Sequence, residues 1–181
     1  LKFDLRNPDI KSLELERTGH KAVIIASYKA DIHYCENDPH KAYEVNVEGM
    51  LQLIKNLSQT SLKIIFLSSD YVFDGNQGKY GDNHPRTPNT TYGKHKKIIE
   101  DEIKNLTDNF LVLRLSKMYG LTKGDKTIFD KAANFLNQKK EVLAASDQYF
   151  NPTFIDDLVK AIIDIQEKDL KGYINVWDRK S

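Results

Sequence analysis

The chain has 181 residues, 40% of them hydrophobic and 29% charged, which excludes a wholly disordered chain and provides enough apolar material for a packed core. Its 27 basic and 26 acidic residues give a formal net charge of +1, which argues against a nucleic-acid-binding face and against a polybasic membrane anchor. Cys35 is the single cysteine, so an internal disulfide is excluded and a reducing, cytoplasmic compartment is predicted.

Short apolar runs alternate with amphipathic segments along the chain. The predicted strands are, in order, Lys21–Ser27, Leu62–Ser68, Phe110–Ser116, Val142–Ala144 and Tyr173–Val176. The three longer runs are continuously apolar rather than alternating, which is typical of strands that are covered on both faces.

Apolar residues three or four positions apart predict the intervening helices. These are Pro39–Leu57, Tyr92–Ile103, Ile128–Leu136 and Phe154–Ile165. Strands that alternate with helices predict an α/β fold with a doubly wound, Rossmann-like parallel sheet. Such folds bind ligands at the carboxyl ends of their strands, so we expect the chemistry just after Ser27, Leu67 and Leu115.

A tyrosine and a lysine four residues apart open the second predicted helix. At that spacing Tyr92 and Lys96 share one helix face. A phenol has an ordinary pKa of about 10, and a neighbouring ammonium is expected to lower that pKa toward the range useful for acid-base catalysis. The lysine can also donate hydrogen bonds to a ribose. A pair of exposed surface residues is the competing interpretation of this spacing.

Two serines stand where the second predicted strand ends. The hydroxyl of Ser68 or Ser69 can donate a hydrogen bond to a substrate carbonyl at the ligand-binding edge, while Tyr92 protonates the same oxygen. The competing interpretation is a simple strand-end turn, which serines favour. The Gly- and Pro-rich stretch 74–91 that follows favours a functional site, because irregular stretches of this length inside a compact domain are usually functional.

Several segments together resemble a known family. Ser68-Ser-Asp-Tyr-Val-Phe-Asp-Gly75 and Pro88-Asn-Thr-Thr-Tyr-Gly-Lys-His-Lys96 are similar to motifs of extended short-chain dehydrogenases/reductases, in particular the nucleotide-sugar reductases typified by dTDP-4-dehydrorhamnose reductase. Further segments resemble that family in the same order: Asp4-Leu-Arg-Asn-Pro8, Glu44-Val-Asn-Val-Glu-Gly49, Arg114-Leu-Ser-Lys-Met-Tyr-Gly120, and Asp147-Gln-Tyr-Phe-Asn-Pro-Thr153 with Asp156-Asp157. The resemblance covers nearly the whole chain.

The resemblance implies a role for each matching residue. The implied catalytic residues are Ser69, Tyr92 as the proton donor and Lys96 as the ribose-binding lysine. The implied cofactor-binding residues are Asp4 and Leu5 beside the adenine, Ala26, Ser27, Tyr28 and Lys29 through their backbone, and Leu67, Tyr92 and Lys96. The implied substrate-binding residues are Ser69, Asp70 and Lys117. No metal is expected, because the group His33, Cys35 and Glu36 has no second His/Cys cluster to complete a site.

The sequence departs from the family pattern in three places. No glycine-rich phosphate-binding turn is present, so a unit of about 30 residues is expected to precede Asp4, and the chain alone is expected to bind a dinucleotide poorly. Lys117 stands where the reductases often carry a tryptophan, and the segment from Tyr28 to Glu36 is bulkier than in the reductases. We expect 1–145 to be the rest of the dinucleotide-binding domain and 146–181 to begin a substrate-binding part interleaved with it, without its C-terminal portion.

The expected function is reduction, with NADPH or NADH, of the keto group of a nucleotide-linked 4-keto-6-deoxy sugar, in the synthesis of sugars for cell-surface polysaccharide. One alternative is a non-catalytic binding subunit like the regulatory subunit of methionine adenosyltransferase. Another is a nucleotide-sugar epimerase or dehydratase, although Asp70-Tyr71 after Ser69 favours plain reduction over the Asp-Glu typical of dehydratases. Neither nucleic acid nor a membrane is expected as a partner, and a homodimer is the candidate assembly.

Overall fold

The computed structural model describes residues 3–15, 19–122, 124–125, 127–142, 146 and 150–177. The strands within these ranges are β1 (Ala22–Ile25), β2 (Lys63–Ser69), β3 (Phe110–Leu115), β4 (Met118–Tyr119), β5 (Thr153–Phe154) and β6 (Gly172–Val176). The α-helices are α1 (Ile32–Asn37), α2 (Pro39–Tyr43), α3 (Met50–Leu57), α4 (Thr91–Leu106), α5 (Ile128–Asn137) and α6 (Ile155–Glu167). None of these helices is long and apolar enough to cross a membrane.

The main sheet has the strand order β1-β2-β3-β6. Strands β1 and β2 run parallel, with Ala22 opposite Lys63 and Ile25 opposite Phe66. All but one residue of β2 is buried, as expected for a strand covered on both faces. The predicted α/β fold with a Rossmann-like parallel sheet is therefore confirmed.

Helices α3 and α4 enclose the main hydrophobic core against the sheet. Its buried side chains include Met50, Ile54 and Leu57 of α3, Ile99 and Ile103 of α4, Ile64 and Phe66 of β2, and Val112 of β3. The helical contributions recur three or four residues apart, which is the spacing that places side chains on one helix face. This packing fixes α4 beside the end of β2.

The predicted helix Pro39–Leu57 forms, but with a change of winding in its middle. Between α2 and α3, residues Glu44–Gly49 adopt a π-helical turn, a local widening that is frequent near functional sites. Gly49 lies so close to the chain before β1 that a Cβ atom there would overlap the Leu5 carbonyl oxygen. The glycine therefore allows this turn to pack against the Leu5 backbone.

Helix α1 was not predicted, because Ile32–Asn37 has no apolar periodicity. Its start is stabilised locally, since the Asp31 side chain accepts a hydrogen bond from the Tyr34 amide. Asp38 in turn caps α2, which carries a proline in its first turn.

The chain divides into two compact units, residues 1–114 with 171–175 and residues 115–170 with 176–181. In the second unit β4 pairs with β5 in parallel, and Tyr119 packs against Phe129 and Phe154. Helices α5 and α6 confirm the two predicted C-terminal helices. Most of the predicted strand Val142–Ala144 lies outside the described residues. The predicted substrate-binding part, 146–181, stays a prediction.

Candidate active site

Strand β2 ends in two serines that have different hydrogen-bond partners. The Ser68 hydroxyl donates to the Glu100 carboxylate at 2.6 Å, inside the protein. The Ser69 hydroxyl donates to Asp70 at 3.0 Å and accepts from the Tyr71 amide at 3.3 Å, which caps the short 3-10 turn that follows the strand. Because successive residues of a strand face opposite sides, Ser69 is the serine directed to the ligand-binding edge.

Tyr92 lies in the first turn of α4, which a close backbone approach holds near this strand end. The Thr90 side chain accepts a hydrogen bond from the Gly93 amide at 3.1 Å and caps the helix. Gly93 touches the turn after β2 so closely that a Cβ atom there would overlap the Tyr71 carbonyl oxygen. The glycine thus allows α4 to bring the Tyr92 phenol close to the Ser69 side chain.

Two further tyrosines pack edge-on against Tyr92. The ring centroids of Tyr28 and Tyr71 lie 5.6 Å and 5.7 Å from that of Tyr92, with interplanar angles of 87° and 86°. Burial raises the pKa of Tyr92 to about 12, although the neighbouring Ser69 hydroxyl acts in the opposite direction. The phenol therefore keeps its proton at neutral pH.

The expectation that Lys96 lowers the pKa of Tyr92 is wrong for this arrangement. The Lys96 ammonium lies 5.8 Å from the centroid of the Tyr92 ring, and its hydrogen bond goes to the Leu67 carbonyl, at 2.8 Å. Desolvation of the phenol consequently dominates the pKa.

Lys96 is itself almost completely buried, with 3% of its surface exposed. Its ammonium lies 3.5 Å from the centroid of the Tyr28 ring and 4.6 Å from that of Phe66. Burial lowers the pKa of Lys96 to about 7, and the Glu100 carboxylate partly opposes this shift. The structure thus brings Ser69, Tyr92 and Lys96 together in one unit, while the catalytic roles of all three stay predictions.

Glu36 holds the start of α4 from another element, a contact that the sequence did not reveal. Its carboxylate accepts hydrogen bonds from the Thr91 amide at 2.7 Å and the Thr91 hydroxyl at 2.8 Å. The hydrogen bond from the Thr91 backbone is the main cause that lowers the pKa of Glu36. Glu36 and Thr91 are 55 positions apart in the sequence, so no local sequence pattern predicts their contact.

The backbone after β1 is fixed by a buried asparagine. The Asn46 side chain accepts from the Lys29 amide at 2.9 Å and donates to the Lys29 carbonyl at 3.1 Å. Ala26 and Ser27 are exposed at this edge, whereas Tyr28 is half-buried. The two exposed residues leave backbone available for a ligand, and the cofactor-binding roles of 26–29 and of half-buried Leu67 stay predictions.

Three other predicted site residues have different surroundings. The Asp4 carboxylate binds Arg6, accepting from its amide at 3.0 Å and from its guanidinium at 2.7 Å, and Leu5 is buried in the core. Asp70 is half-buried and accepts from Ser69. Their predicted contacts with adenine and sugar stay predictions.

The predicted ligand-binding position after Leu115 belongs to the second unit. There the Lys117 ammonium lies 4.6 Å from the centroid of the Phe150 ring, and its carbonyl accepts from the Thr153 amide at 2.8 Å. The Ser116 hydroxyl donates to the Asn151 carbonyl. The role of Lys117 stays a prediction, and the motif residues 147–149 lie outside the described part of the chain. In that described part, no group of three or more His, Cys, Asp or Glu side chains is arranged to hold a metal ion.

Comparisons with known proteins show the family of the chain. The sequence profile of the family described as "RmlD substrate binding domain" matches residues 2–177. The chain is 29% identical over 142 residues to the spore coat polysaccharide biosynthesis protein SpsK of Bacillus subtilis, covering 78% of this chain and 50% of SpsK. It is 28% identical over 172 residues to dTDP-4-dehydrorhamnose reductase of Aggregatibacter actinomycetemcomitans, covering 94% of this chain and 58% of that enzyme.

Other matches include a methionine adenosyltransferase subunit and a solved structure. Methionine adenosyltransferase 2 subunit beta of Xenopus tropicalis is 27% identical over 140 residues, covering 75% of this chain and 41% of that subunit. The crystal structure of dTDP-4-dehydrorhamnose reductase from Bacillus anthracis in complex with NADP superposes with a TM-score of 0.86 at 22% identity, covering 97% of this chain and 62% of that one. The chain spans about half the length of the curated relatives that it matches.

Proposed function

Because the chain belongs to the RmlD substrate binding domain family, we propose that the protein containing it reduces the keto group of a nucleotide-linked 4-keto-6-deoxy sugar with NADPH or NADH. The observation that carries the proposal is the assembly of Ser69, Tyr92 and Lys96 at the end of β2. Relatives named as a dTDP-4-dehydrorhamnose reductase and as a spore coat polysaccharide biosynthesis protein support a role in making polysaccharide sugars.

The residues present fit a nicotinamide cofactor. The Lys96 ammonium has three N–H donors, of which the Leu67 carbonyl takes one at 2.8 Å, so donors remain for ribose hydroxyls. Ala26 and Ser27 are exposed at the same edge of the sheet, where folds of this kind bind ligands. When bound, the cofactor supplies the hydride that reduces the carbonyl carbon.

The chain's own part in the reaction is proton donation and polarisation. Tyr92 has a pKa of about 12 and is fully protonated at neutral pH, so it can give its proton to the developing alkoxide, which is a stronger base than a phenolate. Ser69 lies beside it and turns its hydroxyl from Asp70 to the substrate oxygen, stabilising the negative charge there. Lys96 orients the ribose through the N–H donors that the Leu67 carbonyl does not take.

The test uses the complete reading frame. Consumption of NADPH and NADH is followed with dTDP-4-keto-6-deoxyglucose and its GDP- and UDP-linked counterparts. We expect sugar-dependent consumption that falls about 100- to 10,000-fold in Tyr92→Phe, the range that general acid catalysis contributes. The matched control is Tyr43→Phe, since Tyr43 is 40% exposed on α2 and contacts His95 rather than the site. Turnover that survives intact in Tyr92→Phe would contradict the assignment of the proton donor.

A second candidate is a non-catalytic binding subunit, favoured by the match to methionine adenosyltransferase 2 subunit beta. Intact Ser69, Tyr92 and Lys96 do not by themselves separate the two functions, because a binding subunit can retain them. Cofactor binding without turnover on any of the sugars would replace the reductase proposal with this one. An epimerase or dehydratase, the cytoplasmic location and the homodimer stay predictions.

A further inference from the structure

Tyr28 makes a side-chain contact that its predicted backbone role does not explain. The Lys96 ammonium lies 3.5 Å from the centroid of the Tyr28 ring, well inside the roughly 6 Å that defines a cation–π contact. The Tyr28 hydroxyl is buried and has no hydrogen-bond partner among the residues that the structure describes. The contact with Lys96 therefore involves the face of the ring rather than its polar end.

The ring matters because Lys96 has little else to balance its charge. Strand β2 offers it the Leu67 carbonyl at 2.8 Å and the Phe66 ring at 4.6 Å, neither of which carries a charge. Helix α4 offers the neutral Tyr92 ring at 5.8 Å and, one turn further, the Glu100 carboxylate. The segment after β1 offers Tyr28 alone.

Among the described residues, Glu100 supplies the carboxylate charge that acts on Lys96, and this carboxylate already has hydrogen-bond partners. Its oxygens accept hydrogen bonds from Arg114 at 2.8 Å and from Arg86 at 2.9 Å. The positive charges of these two guanidinium groups therefore largely neutralise the Glu100 carboxylate, which weakens its attraction for Lys96. The negative face of the Tyr28 ring is therefore the electrostatic partner in closest contact with the ammonium, apart from the Leu67 carbonyl.

We propose that Tyr28 is a positioning residue whose ring face keeps Lys96 protonated and directed toward the Leu67 carbonyl and Tyr92. The relevance of this contact to catalysis rests on the proposed function, in which charged Lys96 orients the ribose. The contact itself does not depend on that function. A merely structural role is the competing explanation, in which the ring only shields Lys96 from water.

The two explanations predict opposite signs. If the ring attracts the cation, its removal lowers the pKa of Lys96, because the protonated form loses a favourable contact. If the ring only excludes water, its removal hydrates the ammonium and raises that pKa. Measuring the pKa of Lys96 directly therefore separates them, whether or not the protein turns over a sugar.

The experiment is an NMR titration of the full-length protein labelled with ε-13C lysine, with the Lys96 signal assigned by its loss in Lys96→Arg. Tyr28→Leu keeps apolar bulk but removes the ring, and we expect the midpoint of Lys96 to fall by about one pH unit. Tyr28→Phe keeps the ring face, and we expect the midpoint to stay within about 0.3 unit of the wild type. Tyr34→Leu is the matched control, because that ring lies 4.5 Å from Lys29 instead, and it is expected to leave Lys96 unchanged.

Replacement of Tyr28 by pentafluorophenylalanine tests the same prediction if Tyr28→Leu does not fold. Fluorination reverses the charge of the ring face while preserving its shape, so the midpoint of Lys96 is again expected to fall. An unchanged or raised midpoint in both ring-altered variants overturns the proposal. If the protein reduces a sugar, the alkaline limb of the pH profile of kcat/KM is expected to shift in the same direction as the midpoint of Lys96. If the protein shows no turnover, the proposed function is wrong, but the titration still tests the contact between Tyr28 and Lys96.

Discussion

Lys96 and Glu100 lie one turn apart on α4, and both are buried, with 3% and 0% of their surfaces exposed. Their surroundings differ sharply. The Glu100 carboxylate accepts hydrogen bonds from Arg114, Arg86 and Ser68, at distances between 2.6 and 3.1 Å. Within the described part of the chain, the Lys96 ammonium contacts one carbonyl and three aromatic rings and no carboxylate directly.

The difference separates a charge that joins elements of the fold from a charge whose predicted role is catalytic. Arg114 belongs to β3 and Arg86 to the irregular stretch before α4, so Glu100 joins both to the helix. Arg114 also donates to the Asp82 carbonyl at 2.8 Å, which extends the network into the same stretch. Lys96 joins no such network and lowers stability through its desolvation.

The largest expected effect comes from breaking the paired charge. Glu100→Gln leaves the guanidinium of Arg114, which is 2% exposed, without its carboxylate. We expect the free energy of unfolding to fall by about 3–5 kcal/mol, because a buried charge loses its compensation. Chemical denaturation of the full-length protein measures this change.

Glu102→Gln is the matched control on the same helix. Glu102 is exposed, and its carboxylate accepts a hydrogen bond from Asn105 at 3.3 Å, so a change within about 0.5 kcal/mol is expected. Equal effects of the two variants would show that the Glu100 network is not what anchors α4.

The second largest effect is expected from a change in the position of α4. Gly93→Ala puts a methyl group onto the Tyr71 carbonyl oxygen and pushes the helix away from the turn after β2. We expect a loss of about 1–3 kcal/mol in unfolding free energy and a drop in turnover, because Tyr92 moves away from Ser69. Gly81→Ala is the control, since a Cβ atom there meets nothing within 4 Å. A fully active, equally stable Gly93→Ala protein would contradict the importance of this close approach.

The smallest effect is expected at Glu36, whose carboxylate is exposed although it binds Thr91. Glu36→Gln should cost less than about 1 kcal/mol, because solvent screens this interaction. Since the folded pKa of Glu36 is lowered, its contribution is present above the unfolded pKa of about 4.3 and is lost as the pH falls through the lower folded value. Thermal unfolding of the wild type and of Glu36→Gln at pH 7 and pH 3 measures this contribution. Glu48→Gln, at another exposed glutamate, is the control. If Glu36→Gln is still less stable than the wild type at pH 3, the charge of Glu36 is not the cause of the loss.

The sequence predicts those features of this region that depend on local spacing. The apolar run before Ser69 predicts β2 and the serine at its end, and the four-residue spacing predicts that Tyr92 and Lys96 share a face of α4. The family resemblance, carried by consecutive motif residues, is likewise a local signal, and the profile match to residues 2–177 confirms it.

Contacts between distant segments were not predictable in the same way. The hydrogen bonds of Glu36 with Thr91 and the Tyr28 ring over Lys96 depend on how α1 and the end of β1 pack against α4. The raised pKa of Tyr92 was also missed, because the sequence shows that a lysine is near but not that burial outweighs its charge. Tertiary packing decides both.

The most direct test of the contrast between the two charges is the unfolding free energy of Lys96→Met as a function of pH. The folded pKa of Lys96 is about 7 and its ordinary value is 10.5. Between these values the unfolded chain holds a proton that the folded protein releases, so the penalty grows as the pH falls from about 10.5 to about 7 and is constant below that. Methionine removes the charge and retains much of the shape.

At pH 7 we expect Lys96→Met to be more stable than the wild type by roughly 2–4 kcal/mol, to lose this advantage near pH 10.5, and to have lost turnover. Glu100→Gln changes stability in the opposite direction at pH 7. If Lys96→Met instead destabilises the protein as Glu100→Gln does, or if its effect does not depend on pH, then Lys96 is a structural charge like Glu100 and the account of the site is wrong.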